Sequence, residues 1–168
     1  MKTERNISVH RLTACGIIAC VYAILTIGTA AISYGPIQMR LAEGLCVLPF
    51  VAPWTMWGVA VGCLLANLFS TVSALDVAVG TAATLLAAFL TSRCKNRFLA
   101  PLPPVLCNAV AIGALLAATQ SPGAFWQGFG LFAVQVGAGE FAAAYGAGSL
   151  LLVVLKRQGL DERLRSIR

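Results

Sequence analysis

Three polar side chains, Gln38, Arg40 and Glu43, lie within six consecutive positions between two apolar runs. An ionised side chain at the centre of a bilayer costs roughly 2.5–3.5 kcal/mol even on the most lenient scale, so such residues normally face a cavity or a partner. Their types and spacing therefore predict the wall of a binding pocket. The alternative is a solvated loop whose charges reach the lipid headgroups.

The composition identifies the class of protein around this segment. Of 168 residues, 59% are hydrophobic and only 11% are charged, and the mean hydropathy is +0.85. A soluble domain carries about 25% charged residues, so this is an integral membrane protein. At about 20 residues per span, the length allows five or six spans. We therefore expect one transmembrane domain over 1–168, no ATP-hydrolysing domain, and any energy supplied by a partner.

Positive charge is confined to three regions of the sequence. Eleven of the twelve basic residues lie within 2–11, 93–97 and 156–168, and Arg40 is the exception. The positive-inside rule places all three regions in the cytoplasm. The net charge of +6 therefore reflects membrane topology and not nucleic-acid binding. An even number of crossings must separate neighbouring basic regions.

These constraints predict an all-α membrane protein with six transmembrane helices and both termini cytoplasmic. The second span is short, and we count it as a crossing because the even number requires it. The last span, at about 45 Å, exceeds the hydrocarbon core. The predicted spans are about 12–33, 40–50, 54–70, 76–92, 104–119 and 125–155.

This topology places most of the intramembrane polar groups in the outer half of the bilayer. Asn67, Asp76 and Gln135 lie there, while Glu140 is near the middle, where a carboxylate needs a cavity or a buried partner. Asn108 lies in the inner half, and we expect it to form an interhelical hydrogen bond.

Several of these residues have two interpretations. Asp76 is either a helix cap or a pocket residue. Arg40 pairs with Glu43 or with Asp76 and organises the pocket. Tyr34 and Trp126 either anchor the chain at the interface or cover an outer pocket.

Other chemistries have little support in the sequence. The six cysteines are scattered without a C-x-x-C pair, and the single histidine, His10, precedes the first span. We expect neither a metal site nor a cofactor, and an intramembrane enzyme lacks a nucleophile–base pair. The visible sequence also has no internal repeat of the kind that lines a solitary channel.

Three segments carry a resemblance to a known family. These are Ile32-Ser-Tyr-Gly-Pro-Ile-Gln-Met-Arg-Leu-Ala-Glu-Gly-Leu, Gly62-Cys-Leu-Leu-Ala-Asn and Leu75-Asp with the following Gly-x-x-Ala-Thr-Leu-Leu-Ala-Ala. The chain resembles the QueT family, the substrate-binding (S) components of energy-coupling factor (ECF) transporters for queuosine precursors. The usual Ser-Glu-Ala of that family reads Ala42-Glu43-Gly44 here, which keeps the carboxylate.

The resemblance implies partners and a location. It implies a transmembrane coupling subunit and two cytoplasmic ATPase subunits as partners, and it places this chain in the plasma membrane. In such S components an Ala-x-x-x-Ala face on the first helix docks on the coupling subunit, and Ala19 and Ala23 match that pattern.

The implied ligand is a 7-deazaguanine base, in its aminomethyl or nitrile form (preQ1 or preQ0). Its N1–H and exocyclic amine suit a carboxylate, its carbonyl needs a donor, and the aminomethyl cation suits a second carboxylate. The candidates are the carboxylates Glu43 and Glu140, the amides Gln38, Asn67 and Gln135, and an aromatic ring for stacking. The alternatives are an S component for a different vitamin-like solute and an unrelated small membrane carrier.

Overall fold

A computed structural model describes residues 9–33, 39–69 and 74–167, and every regular element within these ranges is helical. This confirms the prediction of an all-α protein. The α-helices are α1 Val9–Gly28, α2 Ala30–Ser33, α3 Leu48–Val51, α4 Met56–Asn67, α5 Ala74–Arg93, α6 Leu102–Gln120, α7 Phe125–Phe141, α8 Ser149–Arg157 and α9 Leu160–Ser166. Three 3₁₀ segments (Leu41–Val47, Pro53–Thr55 and Pro122–Ala124) and one π-helical segment (Ala142–Gly148) complete the set.

Four helices are long and apolar enough to cross a bilayer. They are Val9–Gly28, Leu75–Arg93, Leu102–Gln120 and Pro122–Arg157, the last with 36 residues. That continuous helix confirms the expectation of an unusually long final element. The π-helical segment lies between α7 and α8, just after Glu140.

Two further segments are shorter than these four helices, and only α4 is shorter than the sequence predicted. Leu41–Val51 consists of a seven-residue 3₁₀ segment and the four residues of α3, which amounts to about 20 Å. Helix α4 has 12 residues where 54–70 was expected, or about 18 Å. Neither length matches the roughly 30 Å hydrocarbon core by itself. The described ranges thus contain four helices of spanning length, not six.

The start and the end of the chain meet at one end of the bundle. Arg11 Nε donates a hydrogen bond to the Ile167 carbonyl oxygen at 3.0 Å. Lys95, in the loop after α5, lines the same cavity as Arg165 on α9. We call this the basic end, formed by the start of α1, the loop 94–101 and α9. The described residues of the three basic regions therefore come together.

The remaining contacts show that successive segments alternate in direction. Arg40 bonds to Asn67, at the end of α4, and to Asp76, at the start of α5, whereas Val51 reaches the basic end. Gly113 of α6 faces Ala133 of α7, an antiparallel pair. Within the described ranges, successive segments therefore alternate in direction between the basic end and the opposite end. These segments are α1, Leu41–Val51, α4, α5, α6 and the long final helix.

Helices α1 and α4 pack with their backbones in close contact. A Cβ atom added to Gly62 would lie 2.9 Å from the Ala19 carbonyl oxygen and 2.6 Å from Tyr22 Cβ. Small residues permit this approach. The role of Ala19 in partner docking stays a prediction, although this residue is only 3% exposed. Ala19 is used in packing within the chain.

We expect Gly62→Ala to destabilise the protein, because the new methyl group meets backbone atoms that cannot rotate away. Overpacking of this kind typically costs about 1–3 kcal/mol. The matched control is Gly16→Ala, since a Cβ atom there has no neighbour within 4 Å. Thermal unfolding in detergent should show a lower unfolding temperature for Gly62→Ala alone. Equal temperatures for both variants would contradict the close α1–α4 contact.

Candidate binding site

The 3₁₀ segment Leu41–Val47 lies at the centre of the bundle. Its residues Ala42, Glu43, Gly44, Cys46 and Val47 are buried. It packs against α1, α5 and the π-helical segment. A Cβ atom on Gly44 would lie 3.1 Å from the backbone nitrogen of Gly148, so glycine is required for this approach. The result is a central segment that carries its polar side chains into the protein interior.

Glu43 is fully buried and its carboxylate is well satisfied. The Tyr22 hydroxyl donates to Oε1, and Thr84 Oγ1 donates to the same oxygen at 3.2 Å. Cys46 Sγ lies 2.8 Å from Oε2 as a third donor. A buried carboxylate without such donors would be strongly destabilising. These three side chains therefore hold Glu43 in place from α1, α5 and its own segment.

Arg40 is buried beside two partners from other helices. Its Nη2 atom donates to Asp76 Oδ2 at 3.0 Å in a salt bridge whose two side chains are almost completely buried. Its Nη1 atom donates to Asn67 Oδ1 at 3.0 Å. Of the two pairings considered from the sequence, the structure contains the one with Asp76. That residue lies in the first turn of α5, where a negative charge also suits the helix dipole.

Asn67 and Cys63 connect the arginine to the glutamate. Asn67 Nδ2 contacts Cys63 Sγ at 3.3 Å and donates to the Asp76 carbonyl oxygen at 3.2 Å. Cys63 Sγ lies 3.3 Å from Thr84 Oγ1, whose hydroxyl bonds to Glu43. The contacts form one continuous set, which we call the polar network. Its members are Tyr22, Arg40, Glu43, Cys46, Cys63, Asn67, Asp76 and Thr84.

Glu140 lies on α7 beside this network and differs from Glu43 in its surroundings. It is 2% exposed, and Asn108 of α6 lies near enough to interact with its carboxyl group. Its Oε2 atom is buried without a hydrogen-bond partner in the part of the chain that the structure describes. Glu43 and Arg40 are near enough to act on it electrostatically. Glu140 thus places a carboxylate oxygen that can accept a further hydrogen bond next to the polar network.

The other candidate residues do not join this cluster. Gln135 is half-buried on α7 and has no hydrogen bond to the network among residues 9–33, 39–69 and 74–167. Trp126 is 79% exposed and stacks edge-on with Phe125 and Phe129. Its assignment to the pocket stays a prediction, and an exposed aromatic cluster at a helix start is typical of a membrane-interface anchor. Ala23 is half-buried on α1. Tyr34 and Gln38 lie outside the described residues.

Sequence reasoning missed four members of the network. Tyr22 had a signal, because a tyrosine in the middle of a span is unusual for a residue that favours the interface. Thr84, Cys46 and Cys63 had none, because threonine and cysteine are common in apolar helices and usually bond to their own backbone or simply pack. Within the described ranges, no group of three His, Cys, Asp or Glu side chains has the arrangement of a metal site.

Comparisons with known proteins place the chain among membrane transporters. A family model described as "QueT transporter" matches residues 12–157. A curated protein from Lactococcus lactis subsp. cremoris, named "Queuosine precursor transporter QueT", is 38% identical over 78 residues. That match covers 45% of this chain and 46% of the relative, so it spans about half the length of each. No solved structure matches the chain.

We expect the buried Arg40–Asp76 pair to behave as a unit in folding. Arg40→Met or Asp76→Leu alone leaves an uncompensated buried charge, which costs about 3–5 kcal/mol. The double variant removes both charges and should be destabilised by much less than the sum of the single effects. The matched control is Arg93→Met at the other, exposed end of α5. Strictly additive shifts in thermal unfolding would contradict the pairing.

Proposed function

This chain belongs to the QueT transporter family, and from that premise we propose that it is the substrate-binding membrane subunit of an ECF-type importer for a queuosine precursor. The family makes it a multi-pass membrane transporter protein. The Lactococcus relative is named for a queuosine precursor, and its matched half supports extending that substrate class to this chain. We propose no enzymatic activity for the chain itself, with ATP hydrolysis supplied by two partner ATPase subunits.

We further propose a single six-helix transmembrane domain in the plasma membrane with both termini in the cytoplasm. Two observations support this. Six successive described segments alternate in direction, and Arg11, Lys95 and Arg165 lie at one end of the bundle, which the positive-inside rule assigns to the cytoplasm. Leu41–Val51 can be shorter than the bilayer because it is largely buried among longer helices. The polar network then lies toward the outer side, where substrate arrives.

Glu140 is the carboxylate that we assign to the ligand. The observation that carries this assignment is its buried Oε2 atom, which lacks a hydrogen-bond partner in the described part of the chain. A 7-deazaguanine base presents two adjacent N–H donors, which match the two oxygens of one carboxylate. Glu43 already accepts from three side chains. Binding at Glu43 would break those bonds, whereas binding at Glu140 adds bonds to an acceptor with spare capacity.

The polar network has a supporting role in this proposal. Arg40, Asn67 and Asp76 fix α4 and α5 relative to the central segment, and Glu43 fixes α1. Residues whose rotamers are locked in this way keep a binding constellation in its productive geometry. The negative charge of Glu43 also favours a cationic substituent on the ligand, such as an aminomethyl group.

We expect Glu140→Gln to weaken binding of the base roughly 10- to 150-fold, which corresponds to about 1.5–3 kcal/mol for a charged hydrogen bond. Its unfolding temperature should change little. Glu43→Gln should show the converse, a clear loss of stability, because it disrupts three internal hydrogen bonds. Isothermal calorimetry with the nitrile and aminomethyl bases, paired with thermal unfolding, separates the two roles.

Gln127→Ala is the control, since Gln127 is exposed near the start of α7. Unchanged affinity in Glu140→Gln would contradict its assignment to the ligand. No heat with either base on the unmodified protein would contradict the substrate class and leave another vitamin-like solute as the ligand.

The partner subunits need a docking surface, and we propose the exposed face of α1. Gly16 and Cys20 lie one turn apart on that face and are exposed, and no side chain covers Gly16. Ala23 borders it, whereas Ala19 faces α4. Small residues allow a second helix to approach closely. This face therefore gives the coupling subunit a surface of small residues, which Ala19 and Ala23 were expected to provide.

We expect Cys20→Trp to abolish co-purification with the coupling and ATPase subunits through steric exclusion, while affinity for the base is retained. Leu25→Trp, which is exposed on a different side of α1, is the matched control and should co-purify normally. Co-expression of all four subunits with a tag on the coupling subunit provides the measurement. Retention of Cys20→Trp in the complex would place docking elsewhere.

A further inference from the structure

A cavity lies at the basic end, where the short central segment stops. It has a volume of about 770 Å³, and Phe50 and Val51 form its inner surface. Leu41–Val51 covers only about 20 Å, so the flanking helices continue beyond its last residue. The cavity is the space below that end, between the loop after α5 and helices α8 and α9. None of the residues assigned to the base lines this cavity.

One face of α8 forms the wall of this cavity. Ser149, Leu152, Val153 and Lys156 all line it, at the i, i+3, i+4 and i+7 spacing of a single helix face. The wall begins at Ser149, is apolar at Leu152 and Val153, and ends in the cation of Lys156. Phe98 adds a ring on the opposite side, held beside the Arg97 guanidinium at 4.7 Å. An apolar interior thus leads to a charged rim.

The rim carries more positive than negative charge. Lys95, Arg97, Lys156 and Arg165 line the cavity together with one carboxylate, Asp161. None of these five side chains forms a salt bridge with another described residue. Four cations against one anion leave an excess of three positive charges around a space of a size that holds small ligands.

We propose that this cavity binds one anionic phospholipid of the cytoplasmic leaflet. The phosphate lies among Lys95, Lys156 and Arg165, and an acyl chain follows Leu152 and Val153 toward Phe50. The basic end is the end that the positive-inside rule places in the cytoplasm, where anionic lipids are available. Basic pockets between transmembrane helices on that side suit such headgroups. A soluble anion would use the rim but would leave the apolar wall uncovered.

Native mass spectrometry of the full-length protein with added phosphatidylglycerol or phosphatidylcholine tests the proposal. We expect the protein to retain phosphatidylglycerol at least tenfold more strongly. Each cation should contribute about fivefold, so the triple variant Lys95→Gln, Lys156→Gln, Arg165→Gln should lose on the order of 100-fold. The matched control, Arg93→Gln, Arg157→Gln, Arg163→Gln, removes the same charge from residues outside the cavity and should retain most of the binding.

Several outcomes would overturn the proposal. Equal loss in both triple variants would indicate diffuse surface attraction, and equal retention of the two lipids would indicate no headgroup recognition. If inorganic phosphate raised the unfolding temperature as much as phosphatidylglycerol does, the cavity would be assigned to a soluble anion. If the triple variant of the cavity retained the lipid normally but no longer co-purified with the partner subunits, the cavity would be assigned to an acidic protein partner. If the triple variant fails to fold, the single variant Lys156→Gln replaces it, because Lys156 is exposed. Its affinity for phosphatidylglycerol should fall about fivefold.

Discussion

The burial of ionised side chains away from water is the constraint on which the rest of this structure depends. Three such side chains, those of Arg40, Glu43 and Asp76, are buried and have almost no contact with solvent. Each must therefore receive its hydrogen bonds from within the chain. The salt bridge of Arg40 and the three donors of Glu43 fulfil that requirement, and they do so with groups from α1, α4 and α5. Satisfying these charges and assembling the bundle are thus the same process.

The central 3₁₀ segment follows from that requirement. A 3₁₀ helix rises about 2.0 Å per residue against 1.5 Å for an α-helix, so seven residues take Glu43 and Cys46 from the Arg40 end well into the interior. Gly44 and Gly148 remove the side chains that would hold this segment away from the π-helical segment. The π-helical segment in turn begins two residues after Glu140. The irregular backbone occurs where the two buried glutamates are brought near each other.

The sequence predicted the polar chemistry better than the helix lengths. Charge in an apolar chain is costly, so the cluster around Arg40 and Glu43 could be recognised as a site before its partners were known. The Tyr22 and Thr84 contacts could not be, because they depend on the rotation of α1 and α5 and not on local pattern. The packing of Ala19 against α4 was missed for a similar reason. A small-residue motif indicates close approach but does not distinguish a helix of the same chain from one of a partner.

Under the proposed assignment of Glu140 to the ligand, the two glutamates serve recognition and stability separately within one buried environment. Glu43 has its acceptor capacity filled, and a ligand could use it only by breaking bonds that hold three elements together. Glu140 has Asn108 on one side and an acceptor atom to spare, so its carboxylate bears an energetic cost in the free protein. A ligand that supplies donors removes that cost as it binds. Under the proposed assignment, affinity can therefore be high because the fold leaves the Glu140 carboxylate incompletely satisfied while the adjacent network keeps it in position.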